Sequence, residues 1–110
     1  MELFGNYCLI FFENDEKDLE FSKNILEGIE KNLKKIIKTI EKFAPDWPFD
    51  KISMIDRAIL CIGVYEIMYN TDIPDVVAIN ESIELAKKFG DEASFKFVNG
   101  VLHSLMKSKK

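Results

Sequence analysis

In "FKFVNGVLHSL", residues 95–105, a cation, an aromatic ring and a glycine stand close together as Lys96, Phe97 and Gly100. Asn-Gly is a favoured hairpin turn where alternating apolar residues flank it, but here the neighbours recur at three and four. Phe95, Val98, Leu102 and Leu105 mark one face of a helix. At roughly 100° per residue, Phe95, Val98, Val101, Leu102, Leu105 and Met106 form the stripe to be buried. Lys96, Gly100, His103 and Lys107 fall opposite it, with Phe97 and Asn99 at the two edges. Glycine inside a helix costs about 1 kcal/mol against alanine. Gly100 therefore reads either as bare backbone that another molecule approaches between Lys96 and His103, or as a seat for a neighbouring helix.

Other chemistries find little support. His103 is the single histidine, and no glycine-rich phosphate loop, nucleophile elbow or paired-histidine metal helix is present. Glu81 and Glu84 share a helical face, the usual arrangement of surface carboxylates. Cys8 and Cys61 lack metal-type spacing and read as buried or spare thiols. No catalytic residue, metal or cofactor is expected, and an enzyme is not. The charge points instead to one end of the chain. The net charge is −4; residues 1–50 hold 7 Lys against 11 Asp or Glu, whereas residues 51–110 balance 8 basic against 8 acidic residues. From Lys96 onward there are four Lys and no acid, so an anionic partner is sought at that end, unless Lys107, Lys109 and Lys110 are a frayed, solvated tail.

The elements that must carry these residues read as helices throughout. Phe21, Ile25, Ile29, Leu33, Ile36, Ile40 and Phe43 trace one stripe of an amphipathic helix over about 19–43, with Glu27–Lys31 and Glu30–Lys34 spaced for ion pairs on its outer face. "APDWPFDKIS" then forces a turn, with Trp47 expected as an apolar plug over helix ends. Ser53 is a candidate N-cap for a helix over 54–69, with Asp56 in its first turn facing the positive dipole end. That helix is apolar almost all round and is expected at the centre of the bundle. Further helices are expected over 75–89, stopped by Gly90, and over 92–107. "YCLIFF" at 7–12 is strand or helix on local grounds. At 110 residues the chain is one domain, divided into an atypical N-terminal segment (1–17), a helical bundle (18–107) and a basic tail (108–110). No stretch approaches the ~20 apolar residues of a membrane span, and the N-terminus lacks the basic region of a secretory signal. A cytoplasmic location is the default expectation.

"DRAILCIGVYEIMY…DIPDVVAINESIELAKKFGDEASFKFVNGVLHSL" closely resembles the C-terminal half of the NusB family, bacterial transcription antitermination factors. The likeness runs without gaps from about Ala44 to Leu105, and "AINE-IELAK-FG" followed by "KFVNGVL" is highly specific. The resemblance implies an all-α, NusB-like helical bundle around a buried central helix. It also implies an RNA-binding adaptor that pairs with the ribosomal protein NusE on boxA-type RNA, in the transcription elongation complex. Carried across by motif, Lys96 becomes a phosphate contact and Phe97 a stacking surface. Arg57 and Ser94 fall on the RNA side, Asp56 at the acidic contact to NusE, and Asn80 at a structural position.

The chain also departs from the family. The Arg-rich first helix, roughly "RRxARExALQxLY", is missing, Arg57 is the sole arginine, and the sequence is shorter than the family norm at its N-terminal end. Ala93 stands at a typically acidic position and Cys61 at a usually basic one. Fewer phosphate contacts mean less salt-dependent affinity. Two further readings therefore stand beside the first: a NusB-like protein-interaction module that has lost most RNA affinity, and a relative of the RNA-binding domain of ribosomal RNA cytosine methyltransferases. An exposed central helix would also offer a surface for a homodimer.

Overall fold

The structure, a computed structural model, describes residues 18–70 and 72–109, with side chains described from Asn24 onward. The expectations for the N-terminal segment, "YCLIFF" and Cys8 lie outside these residues. The described chain is all-α. Its helices are α1 (Asp18–Lys31), α2 (Leu33–Phe43), α3 (Met54–Tyr69), α4 (Asp75–Phe89) and α5 (Glu92–Ser108), with a 3-10 turn at Phe49–Lys51.

Helix α3 touches each of the other four helices. Its sequence explains this: from Ala58 to Val64 every residue is buried, so it has no polar face to give to water. Ile29, Ile36 and Ile40 from α1 and α2, Ile79 from α4 and Val98 and Leu102 from α5 close around Ile59, Leu60 and Ile62. Each such side chain contributes roughly 1.5–3 kcal/mol by leaving water. The surface expected for a homodimer is correspondingly small, because Met68 is the single large apolar side chain of α3 that is exposed.

The stripe expected as one helix over 19–43 is two. Asn32 interrupts it with φ −112° and ψ 13°. Its Nδ2 donates to the Gly28 carbonyl at 2.9 Å, and its backbone N–H is shared between the Gly28 and Ile29 carbonyls at 3.2 Å. A side-chain amide that competes for the helix's own acceptors is the local cause of the break. The apolar stripe continues across it through Leu33, Ile36 and Ile40, so its periodicity concealed the interruption. The Glu27–Lys31 and Glu30–Lys34 pairs do not form among the described residues, and the second straddles the break.

Helices α3, α4 and α5 fall where the sequence placed them. Gly90 does end α4, but with extended backbone (φ −108°, ψ −155°) that any residue adopts. Space selects glycine there: a Cβ would lie 2.6–2.7 Å from the Ser94 side chain and 2.9 Å from the Ala86 carbonyl. At the far end of α5, Lys109 is not a frayed tail. Its Nζ donates to the Ile67 carbonyl at 2.8 Å and pairs with Asp75 at 3.1 Å. This ties the C-terminal carbonyls of α3 to the start of α4.

Candidate nucleic-acid interface

The site begins in the loop between α2 and α3. Pro45 and Pro48 break helical continuation, and after Pro48 the chain closes a tight turn, with the Lys51 N–H donating to the Pro48 carbonyl at 2.8 Å. Arg57 fastens this turn to α3. Its Nε donates to the Ile52 carbonyl at 2.8 Å, and its guanidinium lies 5.6 Å from the Phe49 ring centre. Helix α3 is capped as its sequence implied: Ser53 Oγ accepts from the Asp56 N–H at 3.2 Å. Asp91 caps α5, its Oδ1 accepting from the Ser94 N–H at 2.8 Å. That hydrogen bonding holds the Asp91 carboxyl below the usual carboxylate range.

Between these parts lies a cleft of about 660 Å³. The loop contributes Trp47 and Lys51, the start of α3 contributes Ser53 and Asp56, and the start of α5 contributes Asp91, Ala93, Ser94, Lys96 and Phe97. The N-terminal ends of two helices thus border one opening, and their positive dipole ends favour negative charge. Lys51 and Lys96 add two ammonium groups, against the carboxylates of Asp56 and Asp91.

Four of the five residues singled out from sequence therefore share one cleft: Asp56, Ser94, Lys96 and Phe97. Arg57 does not line it and instead braces the loop that does. Ser94 is buried, 8 % exposed, with its N–H engaged by Asp91. Lys96 points outward and reaches Glu92 at 3.7 Å, both side chains well exposed; such pairs are worth little and exchange readily. Phe97 is half-buried, its inner side packed against the core. Asp56 is 9 % exposed, and its Oδ1 has no hydrogen-bond partner among the described residues.

Trp47 is not the expected plug. It is 53 % exposed and meets Phe97 edge to face, with ring centres 6.2 Å apart and planes at 65°. Sequence reasoning missed it as a site residue, and missed Lys51, Ser53 and Asp91 as well. The pair of prolines around Asp46-Trp47 was the available signal, since a ring on a turn with no helical face has nothing assigned to cover it. Gly100 resolves towards openness: a Cβ there would meet nothing within 4 Å. It shares the outward face with Lys96 but does not line the cleft. Asn80 is exposed on α4 rather than built into the core, and Cys61 is buried. Among the described residues no group of His, Cys, Asp and Glu is arranged to hold a metal ion, and no helix is long and apolar enough to cross a membrane.

Comparison with known proteins gives a consistent answer. The family model described as "NusB family" matches residues 3–107. The chain is 44 % identical over 93 residues to a transcription antitermination protein NusB from Clostridium tetani, covering 84 % of this chain and 61 % of that relative. It is 41 % identical over 104 residues to the protein of the same name from Acetivibrio thermocellus, covering 94 % of this chain and 72 % of the relative. A solved structure of T. maritima NusB superposes with a TM-score of 0.78 at 39 % identity, over 84 % of this chain and 66 % of that one. The chain thus spans about three-fifths of the Clostridium tetani relative and two-thirds of the solved T. maritima chain.

Proposed function

The chain belongs to the NusB family, and from that premise we propose that it is a transcription antitermination factor. In this reading it is an RNA-binding adaptor that holds boxA-type RNA together with the ribosomal protein NusE in the transcription elongation complex. The relatives are named for transcription antitermination and not for a catalysed reaction. The observation that carries the reading is the cleft in which Lys96, Lys51, Trp47 and Phe97 converge at two helix N-termini. Ammonium groups suit phosphates and exposed rings suit unstacked bases, the two chief modes by which single-stranded RNA is held.

Arg57 enters as a positioning residue, because its Nε donates to the Ile52 carbonyl and its guanidinium lies against the Phe49 ring. Asp56, which the family resemblance places at the NusE contact, lies in the same cleft as the RNA candidates. The charge balance of the cleft favours a second reading as a matter of degree. Two lysines face two aspartates there, and the whole chain carries −4, so RNA affinity without NusE is expected to be weak and NusE to supply much of the complex. A homodimer built on α3 forms no part of the proposal, since that helix is buried over Ala58–Val64.

Titration of boxA RNA with and without NusE, at two salt concentrations, tests the assignment. Binding that strengthens with NusE and weakens with salt is expected. Absence of RNA binding in the presence of NusE would remove the RNA role, and absence of a complex with NusE would remove the adaptor role.

A further inference from the structure

We propose that the cleft accepts an unstacked base with hydrogen-bond donors on its Watson–Crick edge, guanine above all, and that Asp56 is the residue that reads it. The inference rests on the RNA-binding reading and adds a specificity to it. Asp56 is almost wholly enclosed, yet among the described residues its Oδ1 accepts no hydrogen bond. Three donors close to it in the chain or the cleft are committed elsewhere. The Asp56 N–H goes to Ser53 Oγ, the Ser94 N–H goes to Asp91, and the adjacent Arg57 is turned to the Ile52 carbonyl. A buried acceptor without a donor is costly, more so when charged, and a ligand that brings a donor removes that cost.

The surroundings select the ligand. A phosphate cannot serve, because it offers no proton to a carboxylate. A cation or an incoming arginine is opposed by Lys51 and Lys96, which line the same cleft. A nucleotide satisfies all the groups at once: its base edge donates to Asp56, its ring stacks on the Trp47–Phe97 pair, and its flanking phosphates meet the lysines. Guanine is favoured because its N1–H and N2–H₂ are adjacent donors with no acceptor between them, the pattern a carboxylate complements. Uracil offers one N–H set between two acceptors, and adenine and cytosine each place an amino group beside an acceptor.

The test uses a fluorescently labelled oligouridine carrying one central guanosine, and the same oligomer with inosine or uridine there, titrated by anisotropy with and without NusE. Inosine lacks the N2 amino group and keeps the ring. Wild-type protein is expected to bind the guanosine oligomer about tenfold more tightly than the other two, the scale of one well-formed bidentate base contact. Asp56→Asn conserves side-chain volume and should abolish that preference. Lys96→Ala, in contrast, should weaken all three oligomers alike. Equal wild-type affinity for guanosine, inosine and uridine oligomers overturns this inference and leaves RNA binding standing. No binding to any oligomer, even with NusE, overturns both. If Asp56→Asn weakens the NusE complex while the guanosine preference persists, Asp56 is a protein contact and the inference falls. The inosine comparison needs no variant and decides the matter even if Asp56→Asn folds poorly.

Discussion

Lys96 and Trp47 separate the two kinds of contact that the cleft offers. Among the described residues Lys96 is held only by an exposed pair with Glu92, which a phosphate oxygen can replace at little cost. Lys96→Ala should therefore leave the fold intact, weaken binding to every RNA sequence and reduce the slope of log K against log salt by about one. Salt titrations of both proteins measure this directly, and an unchanged slope would exclude a phosphate contact. Phe97 is a poorer probe because it also packs against the core, so its removal costs stability as well as affinity. Trp47, more than half exposed, is the cleaner one. Trp47→Ala is expected to cost about 1–3 kcal/mol of RNA binding, the range for a base–aromatic stack, while thermal melting stays close to that of the parent. A large drop in melting temperature with unchanged affinity would restore Trp47 to a packing role.

Among the elements, α5 carries the most of the site, and its sequence specified nearly all of what it does. Val98, Val101, Leu102 and Leu105 are buried, and Lys96 and Gly100 face out. Whether a helix covered Gly100 lay beyond periodicity, since an exposed face and an interhelical seat share the same spacing. The open space around it now fixes the sign of a substitution. Gly100→Ala meets no neighbour and gains helix propensity, so it should stabilise the protein by about 1 kcal/mol. For a domain of this size that raises the melting temperature by about 4–8 °C. Because Gly100 does not line the cleft, RNA affinity should not change; a lower melting temperature would mean that something packs there.

The whole molecule adds a pH dependence that no single element shows. Glu66, on the central helix, is 3 % exposed, and its Oε2 has no hydrogen-bond partner among the described residues. Burial, with a further push from the Glu81 carboxylate, raises its pKa from 4.5 to about 7. The folded state thus holds this proton more tightly than the unfolded chain does. Below about pH 4.5 the group is neutral in both states and carries no penalty. Stability then falls as the pH rises towards 7 and levels off above it, by up to ~3 kcal/mol at 1.36 kcal/mol per unit. Glu66→Gln should match the parent at acid pH and exceed it above neutrality, as read from chemical denaturation at a series of pH values. Parallel curves for the two proteins would show that Glu66 does not titrate in this range.

The sequence by itself determined the all-α architecture, the central place of α3, the extents of α3, α4 and α5, and the outward face of Lys96. These follow from helical period, capping residues and prolines, all of which act over a few neighbouring positions. It also carried the family likeness, through "AINE" and "KFVNGVL". The folded structure, not the apolar stripe, revealed the break at Asn32, a local side-chain hydrogen bond to the Gly28 carbonyl. It alone turned Arg57 into a brace and Trp47 into an exposed ring. It also drew Lys51, Asp56 and Lys96 into one cleft. The Trp47–Phe97 contact and the shared cleft depend on where the α2–α3 loop meets the start of α5, a contact between segments some forty positions apart in the chain. Local periodicity says which face of each helix is buried; it does not say which loop comes to rest beside its end.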